Sequence, residues 1–137
     1  MLSFDSMRLG WGAGELPAGA TREEVVRFLL AVKLAVACGK WDVVGRVKNL
    51  EGLAQCNMLT SEIPRLIQLL TPRHYVQGPL PDERGGKISW WVFGVEYEST
   101  EFYVKLGLDS RDRARILSFH PAEYPLEYPC RAGQERR

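Results

Sequence analysis

Three runs toward the C-terminal end constrain this chain most: Trp90-Trp91-Val92-Phe93-Gly94, Phe102-Tyr103-Val104-Lys105-Leu106 and Ile116-Leu117-Ser118-Phe119-His120-Pro121. Each is short, rich in aromatic and β-branched residues, and separated from the next by a turn-length polar stretch, as a meander of antiparallel strands requires. In the middle run Phe102, Val104, Leu106 and Leu108 alternate with Glu101, Tyr103 and Lys105, which predicts one buried and one polar face. The first strand, Ile88 to Tyr97, is apolar on both faces, and its tandem tryptophans read as core. In the third, Ile116, Ser118 and His120 are expected on one face, and Pro121 ends the ladder.

Ahead of the strands the pattern is helical. Thr21-Arg22-Glu23-Glu24 has the form of a capping box, so a helix is predicted from Arg22 to Cys38, with Gly39 as its stop. Its apolar residues cover most of the circumference, so it should be largely buried or lie under a partner. Trp41 to Val47 could form a short strand, and Asn49 to Met58 a helical turn around Leu50, Leu53 and Ala54. A second helix opens at Thr60-Ser61, with Pro64 in its first turn and Leu66, Ile67, Leu69 and Leu70 as its apolar face; Thr71-Pro72 closes it. His74 reads as a turn residue beside Tyr75. Gly78 to Gly86 is a long loop by composition and carries Arg84, with Lys87 just beyond. The fold class expected is α+β, with N-terminal helices packed on a small antiparallel sheet. Residues 1–20 are expected to be a flexible tail, 21–125 a single domain and 126–137 a C-terminal tail. The run Gly10, Gly12, Gly14 only superficially suggests a phosphate loop, because no strand precedes it.

Composition narrows the function. The 137 residues, 45% hydrophobic, suit one core, and a formal net charge of +1 gives no overall basic field, so any RNA site must be a local patch. Cys38, Cys56 and Cys130 lack the close paired spacing of zinc or redox sites and read as free thiols in a reducing cytoplasm. No cofactor or metal is expected. The apolar stretch from Val25 to Cys38 is interrupted by Arg27 and Lys33 and falls short of the roughly 20 residues that span a bilayer, so no membrane partner is expected.

Tyr103, Lys105 and His120 form the candidate catalytic set. A phenol, an ammonium and an imidazole can together hold a phosphodiester and move its protons. Arg84 and Lys87 would assist RNA binding, and Glu123 or Tyr124, just past Pro121, would orient His120 or serve as a base.

Val32-Lys33-Leu34, Gly39-Lys40, Leu50 to Met58, Leu66 to Tyr75, Trp91, Tyr103-Val104-Lys105 and Ser118-Phe119-His120 together resemble the motility quorum-sensing regulator (MqsR) toxin family, relatives of RelE-like bacterial toxins. The resemblance covers roughly residues 24 to 124. It implies a RelE-like α+β domain, metal-independent endoribonuclease activity on single-stranded messenger RNA, free or ribosome-associated, and a cognate antitoxin protein. Tyr103 and Lys105 match the family's tyrosine and lysine. The chain departs from the pattern where the family has lysine and here stands His120, where glutamine is replaced by Val92, and where lysine is replaced by Val76 or Gln77. Two other readings stand beside this one: a non-catalytic protein-binding module or degenerate toxin homologue, and a small-ligand enzyme, for which no cofactor fingerprint is found.

Overall fold

The computed structural model describes residues 19–44, 51–54 and 59–131. The glycine-rich run, Cys56 and parts of the expected strand and turn between 45 and 58 lie outside the described residues, as do 1–18 and 132–137. Helix α1 spans Arg22–Ala37, and the expected capping box is present, with Thr21 Oγ1 accepting from Glu24 N and Glu24 accepting from Thr21 N. Gly39 closes the helix at φ +76°, a conformation that costs a side chain-bearing residue energy; Lys40 N donates to Ala35 O and Gly39 N to Val36 O, completing a Schellman motif. Strand β1 is Trp41–Val43, residues 51–54 are helical, and a 3₁₀ turn at Thr60–Glu62 leads into helix α2, Ile63–Gln68. A second 3₁₀ turn, Pro72–His74, contains His74 and precedes β2 (Tyr75–Leu80), β3 (Trp90–Tyr97), β4 (Thr100–Leu108) and β5 (Ala114–Pro121).

The sheet has five strands in the order β1-β5-β4-β3-β2. It is mixed rather than purely antiparallel, because β1 pairs parallel with β5 through Trp41–Ala114, Asp42–Arg115 and Val43–Ile116. The expected loop from Gly78 to Gly86 is also corrected: Gly78 to Leu80 belong to β2, and the connection begins at Pro81. Pro79 has no N–H to give, and β2 is an edge strand, where such a residue is tolerated.

One face of the sheet is covered by the helices. Val25, Phe28, Leu29, Val32, Ala35 and Val36 of α1 meet Ile63, Leu66 and Ile67 of α2 over Trp91, Phe93, Phe102, Val104, Ile116 and Phe119. Phe28 stacks on Trp91 with centroids 4.4 Å apart, and Tyr75 meets Trp91 and Phe93 edge-on. Helix α1 is thus amphipathic rather than buried all round: Val26, Leu30 and Leu34 are 37%, 63% and 67% exposed. Gln68 Nε2 donates to Lys33 O and Lys33 Nζ to Leu70 O, fastening α2 to α1 and satisfying a carbonyl just past the α2 end.

The third strand departs from simple alternation. Lys105 pairs with Ser118 but Leu106 with Ile116, leaving Leu117 as an extra residue in β5. Such a bulge switches which face the following side chains take. Ile116 and Phe119 therefore both enter the core, whereas Ser118 and His120 lie on the opposite face, so the expectation that Ile116 shares a face with them is corrected.

Candidate functional site

The face away from the helices carries the expected catalytic set because of that bulge. Tyr103 stands directly opposite His120 across β4 and β5, and their rings lie nearly parallel, 12° apart with centroids at 5.4 Å. Lys105 is two residues along β4 from Tyr103 and opposite Ser118, which makes it the diagonal neighbour of His120. Diagonal neighbours in an antiparallel pair are about 7–8 Å apart, within reach of one phosphate for a side chain as long as lysine.

His120 is largely enclosed, at 9% exposure. Its Nδ1 lies 2.9 Å from Pro121 O. A carbonyl oxygen only accepts, so Nδ1 carries a proton and Nε2 is the nitrogen left to give or take one. Gly52 is packed so closely on His120 and Pro121 that a Cβ there would come within 2.8 Å of Pro121 Cδ. The backbone at residue 52 thus helps fix where the imidazole stands.

Lys105 opens into a cavity of about 190 Å³ lined by Asp82, Glu83, Arg84, Trp90 and Leu117. Arg84 and Lys105 thus line one cavity, while Lys87 is exposed and not part of that lining. Neither the Lys105 ammonium nor the Arg84 guanidinium makes an ion pair among the described residues. Asp82 is occupied by its own loop, its Oδ1 accepting from Arg84 N at 3.0 Å.

Trp90 and Trp91 are both buried, as read from the sequence, but on opposite faces of the sheet, because neighbours in a strand alternate. Trp91 enters the aromatic core, and Trp90 lies on the polar face over Gly107, where a Cβ would come within 3.2 Å of its ring. Trp90 is only 6% exposed, and its Nε1–H has no acceptor among the described residues. A buried donor left in this way costs about 1–3 kcal/mol. Strand parity could have placed this residue from sequence; the orphaned N–H could not have been foreseen.

Glu123 and Tyr124 follow β5 as exposed residues, and no hydrogen bond joins either to the His120 ring. Residues 126–131, assigned to the tail by sequence, instead run across the sheet. Leu126 and Tyr128 sit where a Cβ on Gly94 would be, Tyr128 Oη donates to Glu101 Oε2 at 2.5 Å, and Arg131 Nε donates to Arg73 O at 2.8 Å. Burial and the Glu101 carboxylate push the Tyr128 phenol well above the usual tyrosine range. Val92 is fully buried on this face between Lys105 and β2.

Among the described residues no three His, Cys, Asp or Glu side chains come together to hold a metal ion, and no helix is long and apolar enough to cross a membrane. Cys38 is exposed, and Cys130 is half-buried against the hydrophobic core. Comparison with protein-family models, with curated proteins and with solved structures found no match to this chain.

Proposed function

We propose that this chain is the toxin of a type II toxin–antitoxin pair, a RelE-like, MqsR-type endoribonuclease that cuts single-stranded messenger RNA in the cytoplasm without a metal. The observation that carries the reading is the Tyr103–His120 register pair with Lys105 on its diagonal, all on one sheet face. In this scheme the RNA 2′-hydroxyl attacks the adjacent phosphorus and the bond to the 5′-oxygen breaks. His120 Nε2 gives its proton to that oxygen, and Lys105 neutralises charge building on the phosphate oxygens. Tyr103 holds the phosphate or stacks a base. Glu123 and Tyr103 are the two candidates for the base that takes the 2′ proton. The products are a 2′,3′-cyclic phosphate and a 5′-hydroxyl. The test is cleavage of single-stranded RNA by the purified full chain in excess chelator, with the ends of the products identified. Cleavage that requires added divalent ion, or that leaves 5′-phosphates, defeats the scheme.

A second reading, a non-catalytic module for a protein partner, is favoured by the exposed apolar stripe Val26, Leu30 and Leu34 on α1 and by the enclosure of His120. Growth inhibition on expression without any RNA cleavage would select it.

A further inference from the structure

Trp90, on the lining of the cavity beside Lys105, carries a donor with no acceptor among the described residues. Its Nε1–H is buried, and Lys105 and Arg84 reach the cavity as cations without a carboxylate partner among the described residues. An indole N–H can only donate, an ammonium likewise, and a guanidinium likewise. Three donor-only side chains on the lining of a cavity of about 190 Å³ suit an acceptor-rich group. The same wall holds two carboxylates that can only accept: Asp82, whose Oδ1 takes the Arg84 N–H, and the exposed Glu83. A bare anion entering here is repelled by both carboxylates, whereas a phosphate that carries a neighbouring hydroxyl offers Glu83 a donor in exchange for its water.

We infer that this cavity is a ribonucleotide subsite, in which a phosphate oxygen accepts from Trp90 Nε1 and Lys105 while the sugar 2′-hydroxyl donates to Glu83. It rests on the reading that this face holds RNA and adds what that reading lacks, a contact that tells RNA from DNA. Trp90 Nε1 is shielded from solvent, so the proposal requires the connection carrying Asp82 to Arg84 to move outward as the phosphate enters. Gly107 is what lets the indole lie in this place: a side chain there would meet Ser89 O, Ile88 and the Trp90 ring. Arg84 follows Asp82 in the same turn, so the movement that admits the phosphate carries its guanidinium along.

The experiment follows the Trp90 indole N–H by NMR in the full ¹⁵N-labelled chain, assigned by Trp90→Phe. Inorganic phosphate is added to the wild type, and RNA and DNA oligonucleotides of one sequence are added to His120→Gln, which leaves the RNA uncut. The expected result is a saturable downfield shift of this one indole signal with phosphate, absent in Lys105→Met and weakened in Arg84→Met. RNA should bind at least about tenfold more tightly than DNA, since a hydrogen bond to a charged group is worth that much. Glu83→Gln should bring the two within about threefold. If RNA binds and is cut while the Trp90 signal stays still, the subsite is wrong and the nuclease reading survives. If phosphate and RNA move the Trp90 signal but RNA is never cut, the subsite stands and the nuclease reading falls. An RNA preference unchanged in Glu83→Gln removes Glu83 from the proposal.

Discussion

His120 is held on one side by its carbonyl contact to Pro121 and on its face by Tyr103, so its ring has little freedom to turn. Glutamine at this position keeps a hydrogen-bonding side chain of similar reach but cannot carry a proton near neutral pH. His120→Gln should therefore lower RNA cleavage on the order of a hundredfold or more while leaving RNA affinity within about threefold. A rate loss within threefold would take the imidazole out of the acid role. The other histidine offers a prediction about stability. Burial first, then the positive charges of Arg131, Arg73 and Lys33, hold the His74 pKa below its ordinary 6.5. Thr71 N donates to His74 Nδ1 at 2.9 Å, which needs that nitrogen's lone pair. The folded chain thus resists a proton that the unfolded chain accepts, so this contribution is complete above pH 6.5 and is lost as the pH falls through the lowered value. Urea unfolding of His74→Asn should show a flatter stability profile between about pH 7 and 5 than the wild type; parallel profiles would show that His74 stays neutral in both states or titrates alike in them.

Elements differ in how much of them the sequence discloses. The ends of α1 were legible because a capping box and a glycine stop are local, each decided within three or four residues. The β5 bulge was not legible, because Leu117 is extra only relative to the partner strand, and no pattern inside β5 marks it. That single insertion decided whether His120 faced the core or the candidate site. The parallel β1–β5 pairing and the whole of β2, Tyr75–Leu80, were hidden for the same reason, since both are settled by a distant strand. The tie between α2 and the sheet yields its own prediction. Tyr97 Oη, near the end of β3, donates to Glu62 Oε1 at 2.7 Å in the turn that opens α2. That hydrogen bond is the main cause that lowers the Glu62 pKa below 4.5, and it raises the Tyr97 phenol to about 12. A carboxylate with a depressed folded pKa stabilises the fold above its unfolded value and loses that contribution as the pH falls through the folded one. Tyr97→Phe should accordingly be less stable than the wild type at pH 7, with the gap closing below about pH 4.5. A gap that stays constant from pH 7 to 3 would mean that the tyrosine acts through packing alone.

At the scale of the molecule, the sheet has helices on one face and, on the other, a polar strip partly crossed by residues 126–131. The crossing is possible because residue 94 is glycine: Tyr128 and Leu126 occupy the space a Cβ would need. The segment is anchored at its far end by Tyr128 on Glu101, by Arg131 on Arg73 O and by the Arg131 guanidinium 3.9 Å above the Tyr128 ring. It lies across the sheet from the helical face, where Phe28, Tyr75, Trp91 and Phe93 interlock. An added methyl at residue 94 acts on the segment alone, since the strand register of β3 and β4 does not depend on that side chain. Gly94→Ala should therefore leave the main unfolding transition within about 1 kcal/mol, while amide exchange from Leu126 to Arg131 speeds up by an order of magnitude or more, as expected for a locally opened unit. Because Gly94 pairs with Tyr103, a lifted segment also widens access to the Tyr103–His120 pair. RNA affinity should rise in Gly94→Ala if the segment screens that pair. An affinity that does not change, with exchange accelerated, would assign the segment a packing role only and leave the strip open to RNA in the wild type.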